Sequence, residues 1–362
     1  GNPKDAEFGG VRRARVSSQS FKRAIREAPV FAKTTQVEPA KRTRRVVKML
    51  RPPLRKAGKS DEDINNALAF FVPNYLAKLE SKLEKPDDDA RTKVMVFISE
   101  DEVQVIAEAL LEHWDKMVLE DKRTRRSVVR DLTKKFKDTT GAPDIALFGR
   151  MLAQKPILNI DAACQVAHAL STHRVTMEMD FWTAVDDLKK LDADDEVDAG
   201  AGGMGFTGFD SACFYRYVRL DWEQLLKNLG GDVDLARRSV EAFMRALVEA
   251  VPSGKQNSFA AHNPPSLMFA TVREGSFGWS LTNAFERPVY PRRNEGLVTP
   301  SVAALDTYWQ RLTQVYGEDS IQAQAALALD PDLPLESLAK AEVSTLDDWI
   351  KTTLAALPHE EA

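Results

Sequence analysis

Apolar positions near the start of the chain recur at helical spacing. Phe21, Ala24, Ile25 and Ala28 stand at i, i+3, i+4 and i+7, which predicts a short helix with one buried face. Ser17 or Ser18 is placed to cap its start and Pro29 to end it. Lys22, Arg23 and Arg26 lie off the apolar stripe and are expected to face solvent. Just before it, VRRARV (11–16) reads as a short edge strand. It is entered through Gly9-Gly10, a pair that permits a tight turn or a close backbone approach. Residues 41–140 are predicted mainly helical. Ser99-Glu100-Asp101-Glu102 is a capping-box pattern before Val103, Ile106, Ala109 and Leu110. Residues 52–56 and 84–93 carry Pro, Gly or dense charge and read as loops.

Further along, IALFGRM (145–151) predicts a strand and the apolar AACQVAHAL (162–170) a helix. RVTMEMDFWTAV (174–185) alternates in part and reads as a strand, whereas LDADDEVDAGAGGMGFTGFD (191–210) is acidic, Gly-rich and loop-like. SACFYRYVRL (211–220) and LMFATVR (267–273) predict strands. Between them come an Asp-capped amphipathic helix over 232–250 and a loop, VPSGKQNSFAAHNPP (251–265). Helices near 301–316 and 344–356 follow. Strands mixed with helices, and no repeat of fixed period, give an α/β or α+β fold.

Composition changes the picture mainly through charge. The 362 residues suffice for one large domain or two smaller ones, and no run of 18 apolar residues predicts a membrane span. The polar GNPKDAEF lacks a signal core, and there are two cysteines, Cys164 and Cys213, so a reducing, cytoplasmic setting is expected. The net charge of −4 hides a segregation: residues 11–56 hold fifteen Lys/Arg against Glu27 and Glu38, a local balance of +13 that leaves −17 elsewhere. That is the footprint of a polyanion-binding face on a repulsive body. Within it, FGGVRRARVSSQSFKRAIR (8–26) carries six basic residues and no acidic one. A helix N-terminus with two hydroxyls and nearby arginines suits a phosphate backbone. A second basic cluster runs from Lys122 to Lys137.

Other candidate chemistry is thin. Gly200 to Gly205 matches G-x-G-x-x-G, but the preceding DADDEVDA would repel a pyrophosphate. Ser253-Gly254-Lys255 resembles the tail of a phosphate loop, yet Glu249 and Gln256 stand where Gly and Ser/Thr are required. Cys164 and His168 would share a face of the predicted helix, with His173 nearby, but no fourth metal ligand is evident. A part-buried, satisfied Cys and His fit better, and no metal or cofactor is expected. His262 has polar neighbours but no carboxylate nearby in sequence to orient it as a base. In a regular strand Phe181 and Trp182 point to opposite faces. One of them is then exposed, able to stack on a base, unless a partner covers it; the core is the expected place for these aromatics.

Several segments, in order, resemble one family. KDAEFGGVRRARVSSQSFKRAIR (4–26), DAACQVAHALSTH (161–173), DFWTAVDDL (180–188), FYRYVRLD (214–221), GKQNSFAAHNPP (254–265) and NAFERPV (283–289) are similar to stretches of the CasC family. These are the repeated backbone subunits of type I-E CRISPR Cascade. The resemblance implies an α+β fold with a modified RRM/ferredoxin-like palm from 1–40 and 141–362. It further implies a thumb hairpin at about 175–210 and a helical finger domain over 41–140. It implies crRNA, target DNA paired with the guide, further copies in a head-to-tail filament and other Cascade subunits as partners, and no membrane.

On that resemblance Lys4, Arg12, Arg13, Arg15, Ser17, Ser18, Gln19, Lys22, Arg23 and Arg26 form a phosphate track. Lys255, Gln256, Asn257 and Arg287 add RNA contacts, and Trp182 with Thr183 sits at a kinked base. Val11 departs from the basic residue that many relatives carry after Gly-Gly. The resemblance also implies a central sheet strand from before Gly1. The expected role is a non-enzymatic, sequence-independent scaffold. The alternative is a guide-directed RNA endonuclease using Asp210 or Asp198.

Overall fold

The computed structural model describes residues 3–85, 88–119, 121–135, 137–184, 203–275, 277–291 and 295–358. In chain order it begins with β1 (Lys4–Phe8), β2 (Val11–Val16), α1 (Ser18–Glu27), α2 (Pro29–Thr35), β3 (Lys41–Thr43), α3 (Val46–Lys56), α4 (Asp61–Tyr75) and β4 (Val96–Ile98). Next come α5 (Glu100–Glu112), α6 (Trp114–Val118), α7 (Lys122–Lys135), α8 (Pro143–Phe148), β5 (Cys164–Val166), β6 (Ala169–Ser171), β7 (Glu178–Ala184) and β8 (Gly203–Phe209). The remainder is β9 (Phe214–Tyr215), β10 (Val218–Leu220), α9 (Trp222–Asn228), α10 (Val233–Glu249), α11 (Gln256–Phe259), β11 (Leu267–Arg273), α12 (Val298–Tyr316), β12 (Ile321–Ala328) and α13 (Leu346–Ala355). Two compact units result. One comprises Gly1–Phe21, Val166–Val218 and Asn263–Ala356, the other Lys22–Gln165, Arg219–His262 and Leu357–Ala362.

The first unit holds an antiparallel sheet in the order β1-β2-β6-β9. Gly9 and Gly10 turn β1 into β2 with φ of 61° and 71°, positive at both positions as a type I′ hairpin turn requires. VRRARV is therefore an interior strand rather than an edge, because β6 pairs with its far side. Four strands come from this chain, where the resemblance implies one from before Gly1; β9 adds only two residues. A separate pair, β11 with β12, packs against α12 and α13. There Trp309 is buried edge-on to Phe269 and Trp279, at 4.8 and 5.5 Å between ring centroids. Trp349 Nε1 donates to the Ala325 carbonyl at 3.1 Å. β7 and β8 form a third, two-stranded sheet.

The second unit is mainly helical. α3, α4, α5, α6 and α7 enclose a core that includes Leu50, Leu54, Leu68, Phe71, Leu110 and Met117. Ser99 and Glu102 form the capping box expected at the start of α5. Asp232 caps α10, which packs against α2 and α8. The Asn228 amide on α9 donates to the Ala146 and Asp161 carbonyls at 2.9 and 2.8 Å, tying α8 to the approach to β5.

Further expectations are corrected. Residues 52–56 are helix, because Pro52 and Pro53 continue α3 while Leu50 and Leu54 on either side are buried. IALFGRM contributes to α8, which Pro143 opens and Gly149 stops at φ 77°. AACQVAHAL forms β5 and β6: pairing with β10, β2 and β9 overrides its alanine-rich helical look. SACFYRYVRL breaks into β9 and β10. Of the Gly-rich stretch, 203–209 is strand β8 and 191–202 lies outside the described residues, as does Asp198. His168 also departs from its expected place, being exposed, whereas Cys164 is buried.

Candidate nucleic-acid interface

In the first unit, the β1–β2 hairpin sorts its basic residues by strand alternation. Lys4 and Arg12 are exposed, and Arg12 Nε donates to the Asp5 carboxylate. Arg13 is fully buried. Its guanidinium donates to the carbonyls of Phe8 (3.1 Å), Ser171 (3.2 Å), Phe285 (2.7 Å) and Glu286 (3.4 Å). Burial lowers its pKa from the ordinary arginine value, with Tyr290 and Glu286 opposing. Arg13 is thus placed in the framework and not on a surface track. Arg15, half-buried, donates to the Asp5 carbonyl at 3.2 Å and lies 3.4 Å from His168 Nδ1. That same Nδ1 accepts the Ser18 amide at 3.2 Å. Ser17 supplies the carbonyl that receives the Ser20 and Phe21 amides at the head of α1, and Ser18 itself is buried. Gln19 is exposed, as is Arg287, for which no described residue provides a partner.

The second unit presents another set. Arg23 is exposed and pairs with Glu27 one helical turn on, at 2.9 Å. Lys22 is half-buried, its ammonium 6.0 Å from the Phe148 ring centre. Arg26 corrects the expectation of a solvent-facing cation. It is buried against the fully buried Asp144, with Nε donating to Oδ2 at 2.8 Å and Nη2 to the Ala40 carbonyl at 2.8 Å. Asp144 also accepts the Ala40 amide at 3.1 Å, and Arg26 stacks on the Phe97 ring at 4.3 Å. In the 251–265 loop Lys255 and Asn257 are exposed, Lys255 with a left-handed φ of 61°. Gln256 is committed to the loop: Nε2 donates to the Pro252 carbonyl (2.8 Å) and Oε1 accepts the Ala261 amide (2.9 Å). His262 is exposed.

The β7–β8 hairpin is open to solvent along all of β7. Phe181 opposes Phe206 and Trp182 opposes Gly205, so the two aromatics point to opposite faces. Both are about half exposed, at 51% and 48%, which corrects the expectation of a core position. The indole of Trp182 lies over Gly205, where any Cβ would fall 2.9 Å from it. Thr183 is exposed beside it. At the foot of the hairpin, burial and the Asp5 charge raise the Asp210 carboxyl above its ordinary value. Burial pushes the Cys164 thiol up to about 12, against the pull of Lys22. Among the described residues no group of three His, Cys, Asp or Glu is placed to hold a metal ion, and no helix is long and apolar enough to cross a membrane.

The partners that fix Arg13, Arg26 and Ser18 escape sequence reading. They lie 272, 118 and 150 residues away, as Phe285, Asp144 and His168. Strong likenesses to solved structures include the following two. A chain of a "CRISPR RNA-guided surveillance complex, pre-nicking" matches with a TM-score of 0.76 and 31% identity, over 98% of this chain and 93% of that one. A chain of a "CRISPR RNA-guided surveillance complex" matches with a TM-score of 0.69 and 24% identity over the same shares, a likeness of fold. Comparison with curated proteins finds no significant match. The sequence profile of the CT1975-like protein family covers residues 1–352, and with it the CasC resemblance is borne out: the chain belongs to the CT1975-like family.

Proposed function

We propose that this chain is a repeated backbone subunit of a type I-E Cascade surveillance complex, a scaffold that holds crRNA by its phosphates without reading its sequence. The observation that carries the reading is the likeness, at 31% identity over 98% of the chain, to a subunit of an RNA-guided surveillance complex. In a guide-directed machine the bases must stay free to pair with target DNA, so the protein grips sugar and phosphate. Exposed polar and basic side chains suit such a grip. They are Lys4, Arg12, Gln19 and Arg287 in the first unit, and Arg23, Lys255 and Asn257 in the second. Arg15 and Lys22 add half-buried charge. Trp182 and Thr183 stand on an open hairpin, where an indole can wedge beside one base.

Within this reading the first unit belongs to an RRM-like palm, residues 41–140 to the fingers and β7–β8 to the thumb. Copies meet head-to-tail through a heterologous interface that propagates instead of closing. The role is non-enzymatic. The test is purification of the full chain with its natural partners. One discrete short RNA and several copies of the chain per particle are expected. A heterogeneous RNA mixture, or RNA complementary to the guide cut in an Asp210-dependent way, would overturn the proposal.

A further inference from the structure

The segment that carries Arg287 crosses the β1–β2 turn at very short range. A Cβ on Gly9 would fall 1.7 Å from the Glu286 carbonyl oxygen, so only glycine admits the crossing, and its φ of 61° favours glycine independently. Beneath the crossing, Arg13 holds the Phe285 and Glu286 carbonyls at 2.7 and 3.4 Å. The same guanidinium reaches Phe8 and Ser171, and so fastens the segment to the turn and to β6 at once. On the far side of Arg287, the Val289 amide donates to the Thr172 carbonyl at 2.9 Å. Arg287 is therefore held at residues both before and after it while its own side chain stays exposed.

We infer that Arg13 is a positioning residue: it does not touch RNA, and it acts by fixing Arg287 as a phosphate contact beside the β1–β2 hairpin. This rests on the RNA-binding role proposed above. A buried guanidinium that anchors two consecutive carbonyls restricts the backbone from which the next side chain projects, so less freedom is lost when that side chain meets a phosphate.

The test measures binding of the full chain to a labelled single-stranded RNA across a salt series, with a thermal melt for each variant. R287A should lower the slope of log K against log salt by about 0.7, the share of one phosphate on a single strand, and R287K should restore it. R13K should lower the slope by the same amount although it removes no exposed charge. R13K/R287A should lose no more than R287A alone, and G9A should behave as R13K does. Additive losses in the double variant, or a slope unchanged by R287A, would overturn the inference. So would an R13K chain that does not fold, since Arg13 would then be a residue of the fold alone. If the unaltered chain binds no RNA, it is the proposed function that fails.

Discussion

A cation's value to a polyanion depends on where its charge is already spent. Arg26 and Asp144 are both buried and mutually bonded, so losing either leaves a charge stranded in the interior. D144A is expected to destabilise the chain by about 3–5 kcal/mol in chemical denaturation. Asp210 makes the opposite case. Its carboxyl is raised by burial and by Asp5, so the folded state binds its proton more tightly than the unfolded state does. Its contribution to stability is greatest below the unfolded carboxylate range, near about 4, and is lost as pH rises through the folded value. D210N should therefore raise the melting temperature at neutral pH, and that gain should vanish in acid. Basic character in 11–26 was legible from sequence. The division into exposed Arg12 and Arg23 and buried Arg13 and Arg26 was not, since the partners come from distant parts of the chain.

Elements differ in how openly the sequence declares them. α5 and α10 carry both a cap and an apolar stripe, two local signals that agree, and both form as expected. Residues 145–151 and 162–170 carry only short apolar runs, which periodicity assigns to neither class. In the first, Pro143 at the opening turn decides for helix; in the second, neighbouring strands decide for sheet. The β7–β8 hairpin was legible as a strand and as an aromatic pair, but its isolation from the two other sheets of the first unit was not. Because Trp182 is about half exposed on an open strand, W182A should change folding stability by no more than about 0.5 kcal/mol. It should weaken RNA binding by about 1–3 kcal/mol if one base stacks there. Calorimetric unfolding and binding titration of the same sample separate the two; a large loss of stability would return Trp182 to a structural role.

At the scale of the molecule, charge segregation predicts how binding responds to salt. K22A/R23A should weaken binding nearly equally for guides of unrelated sequence and reduce the salt slope by about 1.4, two single-strand phosphate contacts. A loss confined to one guide would contradict a grip on the backbone alone. The molecule also carries a liability in its β7–β8 ribbon. Phe181, Phe206, Met179 and Met204 lie on one face of a two-stranded ribbon with Trp182 on the other, all open to water. Apolar side chains exposed on a two-stranded ribbon stick to one another. Glu178 and Asp180, exposed on the indole face, put like charge on the ribbon and oppose its self-association. Neutralising them should turn a clear solution of guide-free chain cloudy, while subunits already assembled stay dispersed.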